Sequence, residues 1–251
     1  MIERLYEALA LPPSCRLGKR IFKKLLEENA ALTVTDRKAL RDDLDVLTWA
    51  YTLKPSTVPI QPYQDSEREY LEIALLQADL KARKRVGRLA EVIHRAIPYP
   101  VILVFSHDGD VLVSLAHKRF SQAEKGAVVA DDFLVTNWIA LADPSPVQQA
   151  FIASLRFADL PQTHFYALYS AWADRLVALA CADLSGAYRL ETALERRGQR
   201  RARLAECRAL EARIQGIRTK IRKETQFNRQ VELNTQIKQL ERELRDAVAH
   251  L

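Results

Sequence analysis

Two apolar seams in the last quarter of the sequence constrain its folding more than any other feature. Cys207, Leu210, Ile214, Ile217 and Ile221 recur at spacings of 3, 4, 3 and 4, and Leu233, Ile237, Leu240, Leu244, Ala247 and Leu251 at 4, 3, 4, 3 and 4. Such a repeat keeps its residues on one stripe of an α-helix, and the stripe must be buried against a partner. The segment KETQFNRQ interrupts the repeat, so two helices of similar length folded back on each other satisfy both stripes within one chain. At a rise of about 1.5 Å per residue the hairpin should be roughly 35–50 Å long. Docking of the hairpin on its own domain or on a twin chain, with its charges as a solvated face, is the plain alternative.

Before residue 184 the pattern changes. Ser14 can cap a helix carrying Leu17, Ile21, Leu25 and Leu26, and Thr35 another carrying Leu40, Leu44 and Leu47. Trp49, Tyr51 and Leu53 alternate as a strand does and stop at Lys54-Pro55. EREYLEIALLQADLK stays open, since its propensities favour helix while Leu71-Ile73-Leu75 fits one strand face. Val86, Leu89, Ala90, Ile93 and Ile97 are helical in spacing, and Pro98-Tyr99-Pro100 ends that helix. Val101–Phe105 and Val111–Leu115 form a hairpin around Asp108-Gly109, a pair that tolerates positive φ. AVVADDFLVTNWIAL reads as a further strand with a bulge, and helices follow around Pro146–Leu155 and His164–Ala182. The expectation is an α+β body with a mixed sheet and flanking helices over residues 1–183, then a helical hairpin over 184–251.

Composition bounds the function classes. With 251 residues, 48% apolar, 28% charged and only 7 Gly and 10 Pro, the chain suits one ordered core plus an appendage. Three widely separated cysteines, Cys15, Cys181 and Cys207, suit reduced thiols and a cytoplasmic location better than a disulfide frame or a zinc site. No apolar run approaches the roughly 18 residues of a membrane span, and MIERLYEALAL carries acids where a signal peptide carries a basic end. Charge is concentrated: residues 189–223 hold 12 Lys and Arg against 4 Asp and Glu, a net +8 in a chain whose total is +6. A local excess of this kind points to a phosphate-rich or acidic partner. Within it Arg196, Arg197, Arg200, Arg201 and Arg203 are candidate phosphate contacts, because guanidinium forks match phosphate oxygens.

Catalytic motifs are weak. Asp79-Leu80-Lys81, with Asp65, Glu69 or Glu72 upstream, resembles the carboxylate and D/E-x-K set that two-metal nucleases place on neighbouring strands. A chain of this composition should contain about 1.5 such matches by chance. Gly18-Lys19 lacks the earlier glycine of a phosphate loop, and Arg20 stands where Ser or Thr would hold magnesium. Five histidines show no zinc spacing, and Ser106-His107-Asp108 is a turn, not a stacked triad. His117, Lys118 and Arg119 read as a solvated strand end or, more sharply, as a phosphate or partner contact. No catalytic residue, metal or cofactor is assigned.

The segments KRIFKKLL, LTWAYTLKPSTVPI, REYLEI, IHRAIPYPVILVF, SLAHKR and KETQFNRQVELNTQIKQLEREL together resemble the bacterial family called domain of unknown function 4391, over nearly the whole chain. The resemblance implies an α+β body and a strand at Tyr70–Leu80. It also implies company, since members are encoded beside DNA methyltransferases and helicases in restriction-like and phage-defence clusters, and it supplies no catalytic residues. The expected function is a non-catalytic accessory subunit of a DNA-targeting defence or restriction–modification-like complex. Its basic hairpin would bind DNA phosphates, a partner subunit or both. The alternatives are a metal-dependent nuclease using Asp79 and Lys81, and a coiled-coil adaptor that never touches nucleic acid.

Overall fold

The computed structural model describes residues 2–124 and 126–251. The chain divides into two compact units, one ending at Leu176 and one beginning at Val177. The division falls inside a single helix, α6 (Phe165–Ser185).

The first unit is built on a mixed sheet. Its strands run in the order β1 (Arg16–Ile21), β2 (Leu44–Leu53), β5 (Ile73–Leu80), β6 (Val101–His107), β7 (Asp110–Phe120) and β8 (Val128–Val135). β9 (Ile139–Ala140) also pairs with β7, and β3 (Tyr63–Gln64) with β4 (Glu69–Tyr70) forms a separate ribbon. Every neighbouring pair along the main sheet is antiparallel except β5 and β6. A parallel neighbour needs a crossover, and α4 (Val86–Ala96) supplies it. The β6–β7 connection is a two-residue turn in which Asp108 and Gly109 both have positive φ, 50° and 86°, the turn whose twist matches a hairpin.

Alternation along the strands supplies two cores. Leu76 and Ala78 of β5, Leu103 and Phe105 of β6 and Leu112 of β7 pack with α2 (Lys23–Asn29), α3 (Val34–Asp42) and α4. On the other face Ile102, Val104, Val113 and Leu115 meet Leu5 and Leu9 of α1 (Glu3–Leu9) and Trp172 of α6; α5 (Pro146–Ser154) precedes α6. The fully buried Tyr169 hydroxyl ties strands together there, donating to Val101 O at 2.8 Å and accepting from Ala116 N at 3.0 Å.

Several expectations change. Residues 16–21 are a strand, not helix: Gly18 sits at φ +66°, Arg16 to Ile21 pairs with Tyr51 to Leu47, and Ser14 donates to Thr57 O. The helix predicted from Thr35 is capped instead by Thr33, with Asp36 closing a capping box, and it ends at Asp42. Leu44 and Leu47 belong to β2, where a register shift between Leu44 and Val46 lets both face one core, imitating helical spacing. The segment Tyr70–Leu80 is extended, as β4 and β5. The helix α1 lies in a stretch for which the sequence reading gave no element.

The second unit contains α7 (Leu194–Ile221) and α8 (Phe227–Ala249), which pack on each other through Leu210, Ile214, Ile237 and Leu240. Arg218 pairs with Glu241 at 2.9 Å, and Arg203 donates to His250 O at 2.7 Å, so the helices run antiparallel. With 28 and 23 residues they measure about 42 and 35 Å. Glu224 in the turn accepts from the backbone N–H of Thr225 and Gln226, helping to start α8.

A chain ending at Asp183 keeps the sheet and its flanking helices, since the sheet-bearing unit closes at Leu176. That fragment is expected to melt cooperatively by circular dichroism and calorimetry. A broad, non-cooperative melt would show that the hairpin completes the core.

Candidate functional site

The five candidate arginines lie at the base of the hairpin and point in different directions. Arg196 and Arg203 are exposed, Arg197 and Arg201 half-buried, and Arg200 is only 9% exposed. Arg200 donates to Arg189 O at 2.5 Å and also bonds the buried Cys181 thiol. Its position is legible after the fact. Arg200 lies seven residues before Cys207, one heptad back along the seam, so the stripe that buries Leu210 and Ile214 buries Arg200 too. Burial pushes both the Cys181 and Cys207 thiols up, keeping them protonated and unreactive. The exposed cations continue along the hairpin, with Arg208, Arg213, Lys220, Arg222 and Lys223 on or just after α7.

His117, Lys118 and Arg119 at the end of β7 have three different fates. His117 lies on the α6 face, where its Nδ1 shares a hydrogen bond of 2.7 Å with the Tyr70 hydroxyl. Arg119 pairs with Asp131 at 3.0 Å. Lys118 is the correction: it is no solvated strand end but 2% exposed. Period-two alternation from Leu112 and Ser114 turns it toward α4, and its ammonium donates to His94 O and to Ile97 O, the latter at 2.7 Å. A cation there satisfies carbonyls that the end of α4 leaves without partners, and it sits at the negative end of the helix dipole. Burial lowers the Lys118 pKa to about 7. Burial, then the neighbouring Lys118, lowers that of the enclosed His94 to about 3, and His94 Nε2 bonds the Ser114 hydroxyl at 3.1 Å.

A cavity of about 410 Å³ opens beside Lys118, with Glu69, Glu72, Tyr99 and Phe120 in its wall. Burial, then Glu72, pushes the Tyr99 phenol up to about 12. Sequence inspection missed this place because no motif joins its residues; a lysine on the inward parity of a strand was the available signal.

The carboxylates proposed for a nuclease do not converge as expected. Glu72 precedes β5 and Asp79 is its last residue but one, so they stand about 20 Å apart at the rise of an extended strand. Asp65 accepts from Tyr63 OH and from the N–H of Glu67 and Arg68, shaping the turn between β3 and β4. Asp79 is held by Gln77 at 2.8 Å and by the Ser106 hydroxyl. The structure brings a different acid to this end: Asp45 of β2 lies 3.9 Å from Lys81 Nζ, and its neighbour Val46 is the ladder partner of Asp79. Among the described residues no group of three or more His, Cys, Asp or Glu could hold a metal ion. His107 Nε2 lies 3.2 Å from Asp108, but its Nδ1 donates to Leu80 O at 3.0 Å and the Ser106 hydroxyl donates to Asp79, so Ser106, His107 and Asp108 form no line of proton transfer.

A family model described as Domain of unknown function (DUF4391) matches residues 9–244. The chain belongs to that family. No curated protein and no solved structure matches the chain. For this DUF4391 member the match spans both units, so sheet and hairpin alike lie within the family's boundaries. No helix is long and apolar enough to cross a membrane among the described residues.

Lys118 gives the stability of this protein a characteristic pH dependence. Below about pH 7 its amine is protonated both folded and unfolded; between about 7 and its ordinary 10.5 only the unfolded chain holds that proton. Stability therefore rises with pH across this window. Denaturant melts of the native protein and Lys118→Met at pH 7, 8, 9 and 10 should show the native protein gaining on the variant, and parallel curves would refute the assignment.

Proposed function

We propose that the protein is a non-catalytic accessory subunit of a DNA-targeting defence or restriction–modification-like complex, working in the cytoplasm and gripping DNA phosphates through its basic hairpin. One observation carries the reading. The apolar seams of α7 and α8 are consumed by each other, while Arg196, Arg203, Arg208 and Arg213 remain exposed along the first helix. Phosphate contacts of this kind bring affinity and register but no base preference. Sequence choice would then come from a methyltransferase or helicase partner, of the kind implied by the family resemblance. Arg200 has a supporting role here, because its guanidinium is spent on Arg189 O and Cys181.

A second reading, a metal-dependent nuclease, is favoured by the end of β5. Asp45 and Asp79 lie on adjacent antiparallel strands with Lys81 just past the end of β5, the arrangement in which two-metal enzymes let carboxylates share a hard cation while a lysine orients water. Two carboxylates are a thin ligand set, so substrate phosphate oxygens and water would have to complete the coordination.

Two measurements test these readings. Replacing Arg196, Arg203, Arg208 and Arg213 by Glu should abolish duplex binding without loss of helicity, and native binding should weaken with log salt at about −0.9 per phosphate contact, near −4 for four. Salt-insensitive binding, or full binding by the reversed protein, would leave a pure protein adaptor. For the nuclease, plasmid and single-stranded DNA incubated with Mg²⁺ or Mn²⁺ should remain intact on the accessory reading. Cleavage that Asp79→Asn removes while leaving the melting curve unchanged would establish the enzyme instead.

A further inference from the structure

We infer that the free edge of the sheet, β1 together with the first turn of α2, is a binding face for single-stranded nucleic acid, separate from the hairpin. The sequence from Arg16 to Leu25 carries five cations, Arg16, Lys19, Arg20, Lys23 and Lys24, and no acid. This excess is invisible in the near-neutral total of the first 183 residues. The fold concentrates it. Among the described residues β1 has one ladder partner only, and every residue from Arg16 to Arg20 is exposed.

Cations on an edge strand can serve simply to discourage strand pairing, but two features exceed that role. The first is apolar: Phe22 is 70% exposed and Leu25 53%, beside Leu17 at 38%. The Arg20 guanidinium lies 5.9 Å from the centre of the Phe22 ring. An open ring set among cations is the pairing that single strands use, phosphates following the charge while an unstacked base covers the ring. A duplex keeps its bases stacked and would leave Phe22 in water. The second is crowding. Lys23 donates to Leu44 O at 2.5 Å, and after burial the largest influence lowering its pKa is Lys81, with Arg20 adding to it and Asp45 opposing. Among the described residues the other acid paired into the face is Glu28, 3.6 Å from Lys24. Anionic phosphate supplies the missing negative charge.

The test uses the full chain and fluorescence anisotropy with labelled dT20, the RNA rU20, and a 20-base-pair duplex. Arg16→Glu/Lys19→Glu/Arg20→Glu should weaken dT20 binding at least tenfold and flatten its salt slope by about 2, three contacts at about 0.7 each. Phe22→Ala should weaken it about 5- to 100-fold with the slope unchanged, as loss of one stacked base would. Comparable losses on rU20 identify shared single-strand chemistry, whereas a loss confined to one polymer narrows the ligand to it. The hairpin reversal at Arg196, Arg203, Arg208 and Arg213 should leave these Phe22 effects in place, so failure of either surface is read separately. Affinity for dT20 unchanged in both edge variants overturns the proposal. So does duplex binding that depends on the same residues and exceeds dT20, or displacement of dT20 by a polyglutamate peptide at equal charge concentration. If the triple reversal melts early, Phe22→Ala and Arg16→Ala/Lys19→Ala, which add no charge to the edge, carry the decision.

Discussion

A parallel strand cannot be reached by a tight turn, and this requirement organises the body of the protein. β5 and β6 are the one parallel pair of the main sheet, so the chain must leave the sheet, run back across one face and re-enter. α4 makes that return, and both its ends are tied electrostatically. Near its start Arg85 grips the buried Asp43 at 2.5 and 2.8 Å, and Arg88 grips Asp36, whose carboxyl is held at a pKa of about 2 chiefly by that guanidinium. At its finish Lys118 reaches across from β7 to the last carbonyls. Cations beside a helix start are unfavourable by themselves, so the two aspartates are what make the crossover tenable. The ammonium at the far end accepts desolvation for the same purpose.

What was legible in the sequence follows from how local the cause is. The β6–β7 hairpin could be read because Asp108 and Gly109 carry the turn geometry in their own backbone preferences. The seams of α7 and α8 could be read because helices of 28 and 23 residues, roughly eight and six turns at about 3.6 residues each, leave a long periodic record. β1 and the start of β2 could not. Leu17 and Ile21 have helical spacing, but Gly18 at φ +66° and the ladder to β2 decide the matter. A bulge then lets Leu44 and Leu47 mimic a helix face. The sites were less legible still. The inward parity of Lys118 on β7 hints at burial, but what it meets there stays hidden until the position of α4 is known, and Asp45 meets Lys81 only through a ladder spanning some 35 residues. Arg200 was the most legible of them, since the heptad already pointed at it.

Charge in this protein is distributed by face, and sums over segments conceal it. The hairpin announces its basicity through a continuous run, whereas the sheet body hides a cationic edge within a near-neutral stretch. Buried polar groups add a further division: Lys118 and His94 sit together inside the body, both discouraged from carrying charge by burial. The His94 imidazole stays neutral until far below its usual 6.5. Acid therefore works against the fold from about pH 6.5 downward, as the unfolded chain takes up a proton that the native state refuses.

The two free edges of the sheet carry opposite signs, and both are bent. β1 is cationic and carries the irregularity around Gly18; β8 exposes Asp131 and Asp132, the latter at φ 50°. Like charges repel, which disfavours symmetric pairing of two copies through either edge. Head-to-tail joining, β1 of one copy against β8 of the next, would be attractive in charge and could propagate without end into a filament. The kinks remove that hazard, because a strand with a residue out of ladder geometry cannot template a straight neighbour. Shape thus works against polymerisation where charge alone would favour it.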